Sequence, residues 1–177
     1  WINETLHKNI KIKSKNKIRL VKGSHIITKK LYKEDVAFTF QNTDKRIIFV
    51  IPYKKKFSLI GTTEVEVKSP ENTVISKQET QYLIRSVNNY LKKQISKKDI
   101  VDTYSGIRPL IEDFKEASKV TRDYVFDLNI VKKLPLLNIY GGKLTTYRKL
   151  SEKVLLDLKK FLPKTKKGPW TDKKKLF

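Results

Sequence analysis

The sequence has no cysteine and no methionine, and only two histidines, His7 and His25. Without cysteine this stretch has no disulfide, no thiolate metal site and no cysteine nucleophile. Two imidazoles are too few for a multi-histidine metal centre. No apolar run approaches the ~20 residues of a membrane-spanning helix. No Gly-x-Gly-x-x-Gly follows a strand and no Walker sequence is present, so no dinucleotide phosphate site is encoded here. No pair of carboxylates stands at a plausible acid/base spacing. With Trp1 in first place, the missing methionine is read as the mark of a piece of a longer chain, and no signal peptide is visible.

Lysine is what the sequence has in excess. The formal charge is +22, and of 40 basic residues 34 are lysine and six arginine. Arginine is the preferred fork for bases and phosphates, so a dedicated nucleic-acid face would use more of it. The lysines are scattered along the chain, as on a solvated surface. An anionic substrate or lipid headgroups would still feel the field.

A length of 177 residues suits a domain of ordinary size. Residues 1–17 are polar, with weak alternation at Ile10 and Ile12. Ile18–Val21 and Ser24–Ile27 read as a strand interrupted at Gly23. Ala37–Phe40 and Ile47–Ile51 are β-branched and aromatic, joined by a hairpin turn at Asn42–Lys45. Tyr53–Lys56 is a second turn, and Phe57–Val67 a further strand. Ser76 with Glu79 forms a capping box that opens a helix to Ile95, with Leu83, Val87, Tyr90 and Leu91 on its apolar stripe. Strands follow at Ile100–Ile107, Tyr124–Leu128 and Leu136–Tyr140, then a helix from about Leu144 to Leu162. The pattern predicts an α+β fold: a mixed, mainly antiparallel sheet with two long helices.

Two segments carry the densest chemistry. In Leu136–Leu150 a strand runs into Gly141 and Gly142 and then a helix. Free N–H groups and the positive end of the helix dipole suit an anionic or electron-rich group. Lys143 adds a charge, and Thr145 and Thr146 add hydroxyls. A plain β-to-α turn would also need the glycines. In Thr103–Leu110, Arg108 ends an apolar strand beside Pro109 and can grip a phosphate or carboxylate bidentately. It could equally pair with Asp113 or Asp123. The His25 imidazole is of a type suited to carrying a proton near neutral pH, although a lone strand histidine is more often structural. Gly61–Glu64 ends a strand and reads as a pocket lining or a bulge.

Six blocks together carry a resemblance: IRLVKGSHII (18–27), QNTDKRIIFVIPY (41–53), FSLIGTTEVE (57–66), DIVDTYSGIRPL (99–110), TRDYVFDL (121–128) and LLNIYGGKLTTYRKLSEK (136–153). In order and spacing the chain resembles the FAD-dependent glycerol-3-phosphate dehydrogenases, relatives of D-amino-acid oxidase, from about Trp1 to Trp170. The resemblance implies a substrate-binding antiparallel-sheet domain over 1–135 and the returning, flavin-contacting strand and helix of a Rossmann-type FAD domain over 136–165. Residues 166–177 would lead toward a further helical domain.

It implies that Arg108 binds glycerol 3-phosphate, with Lys143 and His25 also in the substrate site. Gly141, Gly142, Lys143, Leu144 and Thr145 would wrap the pyrimidine edge of FAD, and Lys143 is also the candidate catalytic residue. The implied reaction oxidises sn-glycerol 3-phosphate to dihydroxyacetone phosphate and passes electrons to membrane quinone. Oxygen as acceptor, in a glycerol-3-phosphate oxidase, is the near alternative, and a basic nucleic-acid-binding domain the distant one. A bacterial location is implied, cytoplasmic or peripheral on the cytoplasmic face of the inner membrane. An anionic lipid surface and a homodimeric partner belong to the same expectation. The isolated piece is expected to bind FAD poorly and to be inactive.

Overall fold

The computed structural model describes residues 2–71, 73–112, 123–164 and 168–175. The described residues form two compact units, one within 19–109, the other of residues 2–18, 110–112 and those from 123 onward.

The first unit is a helix packed on a sheet. The sheet contains β1 (Ile18–Lys29), β2 (Phe38–Gln41), β3 (Ile47–Tyr53), β4 (Phe57–Gly61) and β5 (Val65–Val67) in the order β2-β3-β4-β1-β5. A sixth strand, β6 (Ile100–Ile111), also pairs with β1. The β2–β3, β3–β4, β4–β1 and β1–β5 ladders are antiparallel. The mixed helix and antiparallel sheet expected from the sequence is therefore present.

Alternation divides the sheet into two unlike faces. Ile26 of β1, Val50 of β3 and Ile60 of β4 lie in register on one face and are fully buried. On the other face of β3, Ile47, Phe49 and Ile51 are 48%, 40% and 38% exposed.

Helix α1 (Lys77–Asn88) covers the buried face. Its start is the capping box read from the sequence. The Glu79 N–H donates to Ser76 Oγ at 3.1 Å, and the Ser76 N–H donates to Glu79 Oε2 at 2.8 Å. Leu83 and Val87 then join Ile26, Ile48, Val50, Ile60 and Ile95 in one core. The helix stops at Asn88 and does not reach Ile95. Asn88 instead clamps Ile95 through two hydrogen bonds of 2.8 and 2.9 Å, so the chain turns and still delivers Ile95 to the core. The apolar spacing continued past the helix because the turn serves the same core.

Strand boundaries also differ from expectation. Strand β1 runs unbroken through Gly23. The strand expected over Phe57–Val67 is two, with residues 62–64 outside the ladder. Strand β6 continues past Ile107 to Ile111, so Arg108 lies within a strand and not at its end.

The second unit is built on a hairpin of β7 (Tyr124–Val131) and β8 (Leu134–Gly141). Lys132 and Lys133 join them at φ 47° and 71°, the left-handed pair that a two-residue type I′ turn requires. Pro135 and Leu136, on either side of the expected division, are both residues of β8.

Residues near the start, expected only as a polar stretch, form a helical turn at Ile2–Thr5 and a π-turn at Leu6–Ile10 that buries Leu6. The Tyr140 hydroxyl on β8, also buried, donates to Asn3 Oδ1 at 2.9 Å and lies 2.8 Å from Ser14 Oγ. After β8 the expected long helix is three pieces: a 3-10 turn at Leu144–Thr146, α2 (Tyr147–Leu158) and a 3-10 turn at Lys159–Phe161.

Candidate functional site

The exposed face of the first unit's sheet brings Arg108 and His25 together around two glycines. His25 on β1 and Phe49 on β3 are both register partners of Gly61 on β4, so all three share that face. A Cβ placed on Gly61 would lie 2.0 Å from His25 Cδ2, which means that the imidazole lies directly over Gly61. Two residues before His25, a Cβ on Gly23 would lie 2.5 and 2.6 Å from the two terminal nitrogens of Arg108. The guanidinium thus rests on the bare backbone of β1. Neither close approach tolerates a side chain.

Arg108 also donates to Thr62 Oγ1 at 3.3 Å, in the segment between β4 and β5. The Tyr104 ring, 60% exposed, sits 5.7 Å from the His25 ring. Burial, followed by the positive charge of Arg108, lowers the His25 pKa below its ordinary value, so the imidazole is neutral at physiological pH. Its Nδ1 is buried with no hydrogen-bond partner among the described residues. The arrangement joins a planar cation, a neutral imidazole and an aromatic rim on one face.

On the opposite face lies a buried polar cluster centred on Glu79, which is 5% exposed. Its carboxylate accepts from Ser24 Oγ at 2.8 Å, Thr63 Oγ1 at 2.7 Å and the Ser76 N–H at 2.8 Å, and pairs with Lys22 Nζ at 2.8 Å. Burial opposes its ionisation, but Lys22, Ser76, Thr63 and Ser24 outweigh that and lower its pKa to about 2. Lys22 donates further to the Val74 carbonyl at 2.9 Å, and Ser105 Oγ of β6 donates to Ser24 Oγ at 2.9 Å. Sequence reading found Glu79 only as a helix cap. The one available signal for the rest was a lysine, Lys22, set in an otherwise apolar strand.

The remaining candidates, Gly141, Gly142, Lys143, Leu144 and Thr145, belong to the second unit, and all five are exposed. Gly141 and Gly142 have φ of 70° and 95°, and a Cβ on Gly141 would lie 2.8 Å from the Asp123 carbonyl oxygen. Backbone shape therefore demands these glycines. Lys143 keeps an extended backbone, and its carbonyl accepts from the Thr146 N–H at 3.0 Å and Thr146 Oγ1 at 2.9 Å. The α-helix begins only at Tyr147. The backbone presented at 141–145 is thus a glycine corner and a 3-10 turn, not the α-helix start expected. Exposed amides and an ammonium there suit an electron-rich planar edge. Asp113, named above as a possible partner of Arg108, lies outside the described residues.

The chain matches the FAD dependent oxidoreductase family over residues 1–148 and belongs to that family. Its relatives include a glycerol-3-phosphate dehydrogenase of Pseudomonas aeruginosa, 44% identical over 98% of this chain and 34% of that protein. The aerobic glycerol-3-phosphate dehydrogenase of Escherichia coli is 46% identical over 88% of this chain and 32% of its own length. A D-erythritol 1-phosphate dehydrogenase of Brucella abortus is 42% identical over 97% of this chain and 34% of its own length. The chain therefore spans about a third of the length of these relatives. A glycerol-3-phosphate dehydrogenase from Bacillus halodurans, solved with FAD, shares the fold, with a TM-score of 0.68 at 24% identity over 89% of this chain and 30% of that one.

Proposed function

We propose that this chain supplies the substrate-binding sheet and the flavin-edge segment of an enzyme that oxidises sn-glycerol 3-phosphate to dihydroxyacetone phosphate. The observation that carries this reading is the Arg108 guanidinium resting on Gly23, two residues from the neutral His25.

Arg108 holds the substrate phosphate through its two-pronged fork. His25, uncharged at neutral pH, accepts a hydrogen bond from the secondary hydroxyl and orients it. Tyr104 screens the imidazole from water. Gly141, Gly142, Leu144 and Thr145 supply backbone around the flavin edge, and the Lys143 ammonium offsets negative charge that develops there. When bound, FAD would supply the acceptor for the carbinol hydride, and the neutral His25 imidazole would take up the hydroxyl proton. The expected domain roles, sheet for substrate over 1–135 and flavin contact over 136–165, belong to this proposal.

The similarity to a D-erythritol 1-phosphate dehydrogenase supports a second substrate reading with one more hydroxymethylene. Both substrates present the same phosphate to Arg108. Family membership leaves no support for the nucleic-acid-binding alternative. Among the described residues no helix is long and apolar enough to cross a membrane. Electron delivery to quinone and attachment to anionic lipid through the lysine-rich surface complete the proposal.

The test is dye reduction by an enzyme in which this chain is completed to the length of its relatives. Glycerol 3-phosphate should reduce the dye, and Arg108→Ala should raise KM for it by about 100-fold, the loss of a bidentate charged contact. An Arg108→Ala enzyme with an unchanged KM would sink the assignment. Running both phosphates side by side separates the two substrates.

A further inference from the structure

We propose that Glu79 is a positioning residue for Arg108, acting from the opposite face of the sheet through Thr63 and Thr62. The inference rests on the reading of Arg108 as the phosphate-binding residue.

The contacts form a chain within the first unit. Glu79 Oε1 accepts from Thr63 Oγ1 at 2.7 Å. Thr63 is bolted to Ser24 twice: its Oγ1 accepts from the Ser24 N–H at 2.9 Å, and its N–H donates to the Ser24 carbonyl at 3.2 Å. Thr62 is held next to it, its hydroxyl donating to the Thr63 carbonyl at 3.1 Å and accepting from Arg108 Nη2 at 3.3 Å. Ser24, itself hydrogen-bonded to Glu79, is flanked by Gly23 and His25, the residues on which Arg108 rests and with which it shares the site. One carboxylate therefore anchors both edges of the guanidinium seat.

Energetics support a role beyond stability. A buried ion pair loses most of its attraction to the cost of desolvating two charges, and apolar residues of similar volume often hold a fold as well. Capping α1 requires only one of the Glu79 oxygens. The other oxygen receives two hydroxyls, from Ser24 and Thr63, that have nothing to do with the helix. Residues 62–64 lie between β4 and β5, outside the ladder, and Thr63 meets β1 through its two bonds to Ser24. The Glu79–Thr63 bond adds an anchor from the helix side. The fixed loop in turn presents the Thr62 hydroxyl as an acceptor and leaves the outer N–H groups of Arg108 aimed consistently.

The experiment uses the completed enzyme and measures kcat, KM for glycerol 3-phosphate and melting temperature. Thr63→Val removes the link while leaving the helix cap intact. It should raise KM about tenfold, the scale of one hydrogen bond to a charged group, with a smaller change in kcat. Thr63→Ser, which keeps the hydroxyl, should stay within about twofold of the parent on the same scale. Glu79→Gln should resemble Thr63→Val. In an Arg108→Ala background, Thr63→Val should add nothing, because the residue it positions is gone. Equal effects of Thr63→Val with and without Arg108 would overturn the proposal, as would an unchanged KM in a folded Thr63→Val enzyme. An Arg108→Ala enzyme with parental KM would overturn it differently, by removing the phosphate-binding reading beneath it.

Discussion

His25 on β1 and Gly61 on β4 face each other across an antiparallel ladder, and the imidazole occupies the space that a side chain at 61 would fill. Gly61→Ala must therefore move the histidine, since a Cβ would lie 2.0 Å from its Cδ2. Displacing a positioned group by about 1 Å can cost on the order of 100-fold in rate. The expected result is a loss of kcat/KM of that order, with a melting temperature lowered by only a few degrees as the ring rotates outward. Paired kinetics and calorimetry on the completed enzyme check this. Parental kcat/KM in Gly61→Ala would remove His25 from the site.

Acid should remove the stabilising contribution of the Glu79 cluster. Its carboxyl is lowered from 4.5 to about 2 in the folded protein. A depressed carboxyl stabilises the fold above its unfolded pKa, and that contribution is lost as pH falls from about 4.5 toward 2. The shift corresponds to roughly 3 kcal/mol. Glu79→Gln should therefore lower the urea midpoint strongly near neutral pH and much less near pH ~3, where the parent has lost part of the same contribution. A difference that stays constant with pH would contradict the assignment.

Gly141→Ala tests the flavin-edge segment. A left-handed backbone costs an L-residue about 1–2 kcal/mol, and here the methyl would also meet the Asp123 carbonyl oxygen at 2.8 Å. The corner at 141–142 should shift, and the purified enzyme should carry less FAD per chain by absorbance. Added FAD should restore part of the activity. Full flavin content with unaltered flavin fluorescence would argue that this corner does not meet the cofactor.

The Lys132-Lys133 turn is a site for gain. Both residues hold positive φ without the glycine or asparagine that this turn prefers. Lys132→Asn with Lys133→Gly should raise the stability of the β7–β8 hairpin by about 1 kcal/mol, read as slower amide exchange in these strands.

Local pattern made much of this fold legible. The capping box at Ser76 and Glu79, the hairpin turn at 42–45 and the β-branched, aromatic run of β3 are set by neighbours in sequence, and each appears where expected. Boundaries failed where tertiary contacts took over. Gly23 looked like a strand break, yet its lack of a side chain makes room for Arg108, 85 positions later. Ile95 looked helical because the core draws it in from a turn. The link from Glu79 to Thr63 and Ser24 left no local trace, since strand, loop and helix meet only after folding. Arg108 and His25 were named from their chemistry, but their shared seat on two glycines emerges only from strand register.

Lys22 gives the lysine-rich chain an internal reporter. Most of its 34 lysines offer their amines to water, whereas Lys22 is only 7% exposed and clasped by Glu79 and the Val74 carbonyl. Amine-reactive reagents should modify it last, and only when β1 and α1 part. The lag between labelling of the exposed lysines and of this one then times the opening of the sheet from its helix, with no probe added to the sequence.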